Sequence, residues 1–332
     1  MDKQISRRRL LSFASAASVA GVLPRTAAAT AAAASFPNHP LRLIVGFPPG
    51  GITDQVMRVA AVDAEKKLGQ PVIIENRPGA AGVTSFLLMK NAAPDGYTIG
   101  QINTSLWRQP VFTPVDYDPM RDFTYIINLV DNIFAVVVNA ESPFKSWSEL
   151  LAYGKANQNR ISYGAPPGLG QSAHLFVEEI AAKEHVSWQA IGYKGSSESM
   201  TALLGGQIDF SVDTVISSSA FVRAGKARYL AVAANQRMQT WPDVPTMRDL
   251  GYQLSIDSPI GLGGPARMPP EVVASIHDAF KFALEQPAMT ALLQRADQHA
   301  RYMGTAEFTA FVARSNVEQR ELLTRFGMAN KR

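Results

Sequence analysis

An α/β protein of two lobes is what this sequence predicts, and three observations carry the prediction. Short, branched apolar runs repeatedly end in Gly- or Pro-rich turns that lead into helix-length patterns. This alternation occurs in two tandem blocks, over residues 41–108 and 161–213, with no close repeat between them. Two long amphipathic stretches, over about 270–285 and 306–326, end the chain and are placed to pack back on the first block.

The first block opens with Leu41-Arg42-Leu43-Ile44-Val45-Gly46-Phe47, which reads as a buried strand. Pro48-Pro49-Gly50-Gly51 turns the chain, and a helical pattern follows over about 53–68. A strand, a glycine turn and a helix start together aim free backbone N–H groups at one spot, where the helix dipole adds positive potential. That is a seat for a carboxylate or phosphate, although such loops are also common as plain connections. Next come a strand over 72–75, the loop Asn76-Arg77-Pro78-Gly79-Ala80-Ala81-Gly82 and an apolar helix to about 91. Pro94-Asp95-Gly96 is a turn before a third strand over 97–103, and Thr104-Ser105-Leu106-Trp107-Arg108 lies just past that strand's end. Such alternation argues for a parallel sheet flanked by helices, with ligands outside the strands' C-terminal ends.

Residues 111–123 are rich in Pro and Asp and read as irregular; 126–139 reads as one or two strands. Ser146-Trp147-Ser148-Glu149 is a capping box that opens a helix to about 156. The second block has a strand over 161–164, the loop Ala165-Pro166-Pro167-Gly168-Leu169-Gly170 and a helix over 171–183. A strand over 188–193, the turn Lys194-Gly195-Ser196 and a helix ended by Gly205-Gly206 follow. Residues 208–213 and 228–234 read as further strands, and 260–264 is short and apolar. Two α/β lobes with facing anion-binding loops leave a cleft between them, a favoured place for small ligands.

The first 34 residues read as an export signal. Ser6-Arg7-Arg8-Arg9-Leu10-Leu11 resembles a twin-arginine motif, a mildly apolar stretch follows, and Ala-x-Ala cleavage options run to Ala34. The expected location is therefore periplasmic. Of 32 basic and 28 acidic residues, five and one lie in this leader, which leaves 27 of each and no bulk positive field for nucleic acid or anionic lipid. The absence of Cys excludes disulfides, thiolate zinc sites, cysteine nucleophiles and a lipoprotein anchor. The five histidines have no clear metal spacing, and there is no Gly-x-Ser-x-Gly elbow or Walker loop. No cofactor or metal is called for.

Several runs, taken in order, are similar to one family: Arg42 to Asp54, Glu75 to Gly82, Pro94-Asp95-Gly96-Tyr97-Thr98, Gly168-Leu169-Gly170 with His174-Leu175, Tyr193-Lys194-Gly195, Leu204-Gly205-Gly206-Gln207-Ile208-Asp209, and Pro242-Asp243-Val244-Pro245-Thr246. The chain resembles the periplasmic substrate-binding proteins of tripartite tricarboxylate transporters, the Bug family, over essentially all that follows the leader. The resemblance implies a type II, Venus-flytrap clamshell, each lobe a mostly parallel sheet flanked by helices, closing on a small organic anion. Lobe 1 is expected over 35–138 plus 261–332 and lobe 2 over 139–260, with a hinge near Asn139 and Ile260. In that family the ligand carboxylate is held by backbone N–H groups and bridging water. Carried over by position, Phe47, Gly50, Gly51, Asp54, Thr104 and Ser105 fall on the ligand loops of lobe 1. Gly168, Gly170, Tyr193, Lys194 and Asp213 fall on the facing lobe, with Gln171 standing where the family usually has Ser or Thr. The implied partners are a small carboxylate and the permease subunits of a tripartite transporter; a monomer is expected.

Each residue also has a plainer reading. Asp54 either orients bound water or is an acid stabilising a helix start. Thr104 and Ser105 either donate hydroxyls or satisfy their own loop. Asp213 meets an ammonium or hydroxyl, or is a solvent-facing strand-end acid. Arg108 reads as a solvated loop arginine and Trp107 as core, while His174 and Glu178, at i,i+4, read as a solvated polar pair. Replacing Gly50 or Gly51 by a bulkier residue is expected to weaken binding by blocking close backbone approach. Two other functions stay open: a ligand sensor for a signalling partner, and an NADP-dependent oxidoreductase. The second uses Gly168-Leu169-Gly170-Gln171-Ser172-Ala173 as a dinucleotide fingerprint, with Lys194 in place of the usual acid.

Overall fold

The computed structural model describes residues 36–330, apart from 80, 81, 167, 235, 255 and 257. The leader lies outside the described residues. In chain order the elements are β1 (Leu41–Val45), α1 (Ile52–Leu68), β2 (Val72–Asn76), α2 (Val83–Lys90), β3 (Thr98–Ile102), α3 (Ser105–Phe112) and β4 (Phe123–Asp131). Then come β5 (Phe134–Asn139), α4 (Trp147–Ala156), β6 (Ser162–Ala165), α5 (Ser172–Glu184), β7 (Gln189–Gly192), α6 (Ser196–Leu204), β8 (Phe210–Thr214), α7 (Val215–Arg223) and β9 (Ala227–Val232). The chain ends with β10 (Pro259–Pro265), α8 (Pro270–Leu284), α9 (Pro287–Arg295), β11 (His299–Met303) and α10 (Thr305–Arg325).

The strands form two sheets, ordered β11-β4-β10-β3-β1-β2 and β7-β6-β8-β5-β9. Each sheet is mixed. β1 runs parallel to β2 and β3, and β6 parallel to β7 and β8. The strand that enters each sheet from the other lobe runs against its neighbours: β10 against β3 and β4, and β5 against β8 and β9. That direction follows from the crossings. β10 starts beside the end of β3 (Gly261 pairs with Ile102), and β5 starts beside the end of β8 (Phe134 pairs with Thr214). Both connections between the sheets therefore leave and enter at the strands' C-terminal edges, and those edges share one side.

The sheet membership moves one expected boundary. β5 belongs to the second sheet, so the outward crossing lies at Asn132-Ile133 rather than near Asn139, and the return is at Pro259. The stretch over 126–139 is broken only by the polar pair Asp131-Asn132, and β5 beyond it is buried on both faces. Phe134, Val136 and Val138 enter one core cluster, and Ala135 and Val137 another. Three elements were not foreseen, α7, α9 and β11, and α3 occupies part of the stretch read as irregular.

The first lobe closes over two cores. Leu41, Leu43 and Val45 of β1 pack with Val56, Met57 and Ala60 of α1 and Ile276 and Phe280 of α8. On the other face Trp107 of α3, Tyr125 of β4 and Phe308, Phe311 and Val312 of α10 come together. α10 lies close because β10 has Gly261 there: a Cβ would stand 2.5 Å from the Phe308 ring. The terminal helices thus pack on the first sheet, as their amphipathic pattern demands.

Candidate functional site

The loops that follow the parallel strands end in helices that begin without a side-chain cap. This holds for α1 after β1, α2 after β2, α3 after β3, α5 after β6, α6 after β7 and α7 after β8. The residue at the N-cap position supplies no side-chain acceptor for their first-turn N–H groups, although at α3 Asn103 Oδ1 takes the Ser105 N–H and at α7 the Ile133 carbonyl takes the Val215 N–H, both at 2.8 Å. α4 starts away from this edge and is capped in full: Ser146 accepts from the Glu149 N–H, and Glu149 accepts from the Lys145 N–H. Lack of a cap is also seen at α8, α9 and α10, so placement at the ends of parallel strands is what distinguishes the six.

In the first loop Asp54 is 2 % exposed and its carboxylate is committed. It accepts from the Gly50 N–H at 2.9 Å, Arg58 Nε at 2.9 Å and Asn76 Nδ2 at 2.8 Å. Asn76 Nδ2 also donates to the Phe47 carbonyl at 3.0 Å, and Arg58 donates to Asn76 Oδ1 at 2.8 Å. Burial alone would raise the Asp54 pKa, but the bonds from Arg58, Gly50 and Asn76 outweigh it and hold the carboxyl below the usual range. Asp54 thus draws the turn onto β2. The Gly50 N–H, expected to be free, is taken, while the Arg58 charge offsets the Asp54 charge and leaves the helix-start potential in place. Gly50 adopts φ +89°, which requires glycine, whereas Gly51 at φ −71° does not.

At the second loop Thr104 and Ser105 are buried, 6 % and 9 % exposed. Asn103 Oδ1 accepts the Ser105 N–H at 2.8 Å, and Asn103 is itself held by Gln101. Among the described residues neither the Thr104 nor the Ser105 hydroxyl has a hydrogen-bond partner.

The facing lobe brings Gly168, Gly170, Gln171, Tyr193, Lys194 and Asp213 to the ends of β6, β7 and β8. Gly168 and Gly170 have φ of +133° and +77°. The Gly170 N–H donates to His174 Nδ1 at 2.9 Å, which requires that nitrogen to be unprotonated. Burial lowers the His174 pKa, with Glu178 opposing, in keeping with a neutral ring. His174 is 5 % exposed, so it is not the solvated group expected. Gln171 caps α5 by position only. Tyr193 is half-buried and Lys194 exposed, with the Lys194 N–H held by Glu198.

Asp213 is fully buried, not the solvent-facing acid of the plainer reading. One carboxylate oxygen accepts from the Ser196 hydroxyl and from the Thr214 N–H at 2.7 Å; the other is buried with no partner among the described residues. Burial pushes its pKa up to about 7, against the lowering effect of Ser196 and Thr214.

Arg108 departs furthest from expectation. It is 3 % exposed, donates from Nη1 to Ser172 Oγ at 2.6 Å and from Nε to Gln319 Oε1 at 2.9 Å, and so links α3 to α5 of the other lobe. Trp107 is core, its Nε1 bonded to Ser315 Oγ at 3.0 Å. Sequence reasoning also missed the role of Asn76, whose only signal was its place in the quoted Glu75 to Gly82 run. A recess of about 810 Å³ lies elsewhere, between the end of α3 and α10, and is lined by none of the expected site residues.

Two mixed α/β lobes that share two crossings and face each other with helix starts define a binding-protein fold of the periplasmic type. The chain belongs to the tripartite tricarboxylate transporter family receptors (TctC), whose family model matches residues 56–328. A Cupriavidus necator relative, "UPF0065 protein in gbd 5'region", is 40 % identical over 98 % of this chain and 99 % of its own length. The Bordetella pertussis protein BugT is 31 % identical over 82 % of this chain and 85 % of its own. Among solved structures, R. palustris Rpa4515 with adipate is 25 % identical with a TM-score of 0.79, covering 89 % of this chain and 99 % of that one. MatC of Rhodopseudomonas palustris, with bound malate, is 25 % identical with a TM-score of 0.73, covering 87 % and 100 %. The protein is thus a solute-binding receptor of this family.

Proposed function

We propose that this receptor captures a small carboxylate-bearing metabolite between its lobes and delivers it to the permease subunits of a tripartite transporter. The observation that carries the reading is the convergence of uncapped helix starts from both sheets on the side where the lobes are joined. Backbone N–H groups at such starts suit an oxyanion without needing an arginine. The Arg58 and Arg108 guanidiniums already serve protein partners. The adipate and malate named with two structural neighbours are both dicarboxylates, which favours that class. Delivery to a permease rests on the family.

A thermal-shift screen of the protein without its leader tests this, using mono- and dicarboxylates, amino acids and NADP. A ligand that binds only the folded state raises the melting temperature by mass action. The expected result is a shift with one carboxylate class and none with NADP. A shift with NADP alone would make the Gly168 to Ala173 loop a dinucleotide site and overturn the proposal.

A further inference from the structure

The two lobes meet along a second seam, separate from the crossings. α3 begins at the Thr104-Ser105 ligand loop of lobe 1. One turn on, Arg108 reaches Ser172 in the first turn of α5, just past the Gly168-Gly170-Gln171 loop of lobe 2. The next turn carries Val111 and Phe112. Val111 is buried with Leu175 of α5 and Leu323 of α10, at 4 %, 2 % and 0 % exposure. Phe112 fills the hollow at Gly170, where a Cβ would stand 2.5 Å from its ring. Leu322 and Phe326 pack on the same cluster, and Arg325 pairs with Glu179 of α5 at 3.1 Å. The Asn330 N–H then ties the chain's last described residue to the Val111 carbonyl at 2.9 Å.

We propose that this seam is a latch: protein–protein contacts between α3, α5 and α10 hold the two ligand loops apposed, whatever ligand is bound. The contacts to lobe 2 (Arg108 with Ser172, Val111 with Leu175, Phe112 at Gly170 and Arg325 with Glu179) are lost if the lobes part on this side, while those between α3 and α10 stay within lobe 1. A buried guanidinium deprived of Ser172 and an apolar cluster opened to water both disfavour the parted state. Affinity for any ligand that needs both loops then scales with the fraction of molecules that are latched. The latch rests on the binding-protein reading for its purpose, but its existence can be tested without a ligand.

The chain has no cysteine, so a labelled pair is unique. Val62→Cys on α1 and Ala152→Cys on α4 place spin labels on exposed positions of opposite lobes. Pulsed dipolar spectroscopy on the unliganded protein reads the distance between lobes. The parent pair is expected to give one main distance. Adding Ser172→Ala, which removes the Arg108 acceptor on lobe 2, is expected to shift the ratio of latched to parted molecules roughly tenfold and bring in a longer distance. Glu179→Gln, which leaves the apolar cluster intact, is expected to shift it the same way by less, and it serves alone if Ser172→Ala fails to fold. Distributions that superimpose on the parent's in the folded variants would overturn the latch. Failure of every carboxylate in the binding screen would leave this outcome untouched and count only against the proposed function.

Discussion

Asp54 and Asp213 are both buried carboxylates beside helix starts, yet their surroundings give them opposite chemistry. Three donors surround Asp54, and it stays ionised. Asp213 has donors for one oxygen only, and its folded pKa of about 7 lies well above the usual carboxylate value of about 3.9. A raised folded pKa means that the fold favours the neutral form. The stability this group contributes is full below its ordinary pKa and is lost as pH rises through about 7. Asp213→Asn, neutral at every pH, is therefore expected to gain stability over the parent as pH goes from 4 to 8. Urea midpoints at several pH values check this, and parallel profiles for the two proteins would show that the free oxygen finds a donor in solution. Both acids stood out in the sequence, but their roles were not legible there. The deciding partners lie on other elements: Asn76 is 22 residues from Asp54, and Ser196 is 17 from Asp213.

Helix starts were the most legible elements, because capping chemistry is local. The Ser146–Glu149 box gave α4 its boundary directly, and the glycine turn before α1 marked where that helix begins. What sequence left open was which of the paired glycines the turn requires. Gly50 sits at φ +89° with open space around a would-be Cβ, so Gly50→Ala is expected to cost about 1 kcal/mol from backbone conformation alone. Gly51 has an ordinary φ and its nearest obstacle, the Pro48 carbonyl, is 3.9 Å away. Gly51→Ala is expected to be neutral or to stabilise by roughly 0.5 kcal/mol, through a less flexible unfolded chain. Chemical denaturation of both variants reads the contrast, and equal losses would argue against this turn geometry. α3 was the least legible element, since its Pro110 reads as a helix breaker and Arg108 reads as a surface residue until the other lobe is placed against it.

At the scale of the molecule, the two tandem blocks were visible as alternation, whereas the passage between lobes was not. Hydrophobic patterning reports burial, and β4 and β5 are both buried though in different sheets; the polar, half-buried pair Asp131-Asn132 marks the crossing, but a two-residue break does not tell a turn within one sheet from a passage to another. The order of the strands in the first sheet has a kinetic consequence. β10 lies between β3 and β4, so the N-terminal sheet cannot be completed until residues 259–265 are in place. The second sheet draws all its strands from the continuous span 134–232. Contacts distant along the chain are slower to form than near ones. During refolding, pulse-labelled hydrogen exchange is thus expected to show amides of β5, β6, β8 and β9 protected before those of β3, β4 and β10. Protection of β3 and β4 first would mean that the N-terminal half collapses without its central strand. The inserted lobe, second in sequence, is thus expected to fold first, with the outer lobe assembled around it.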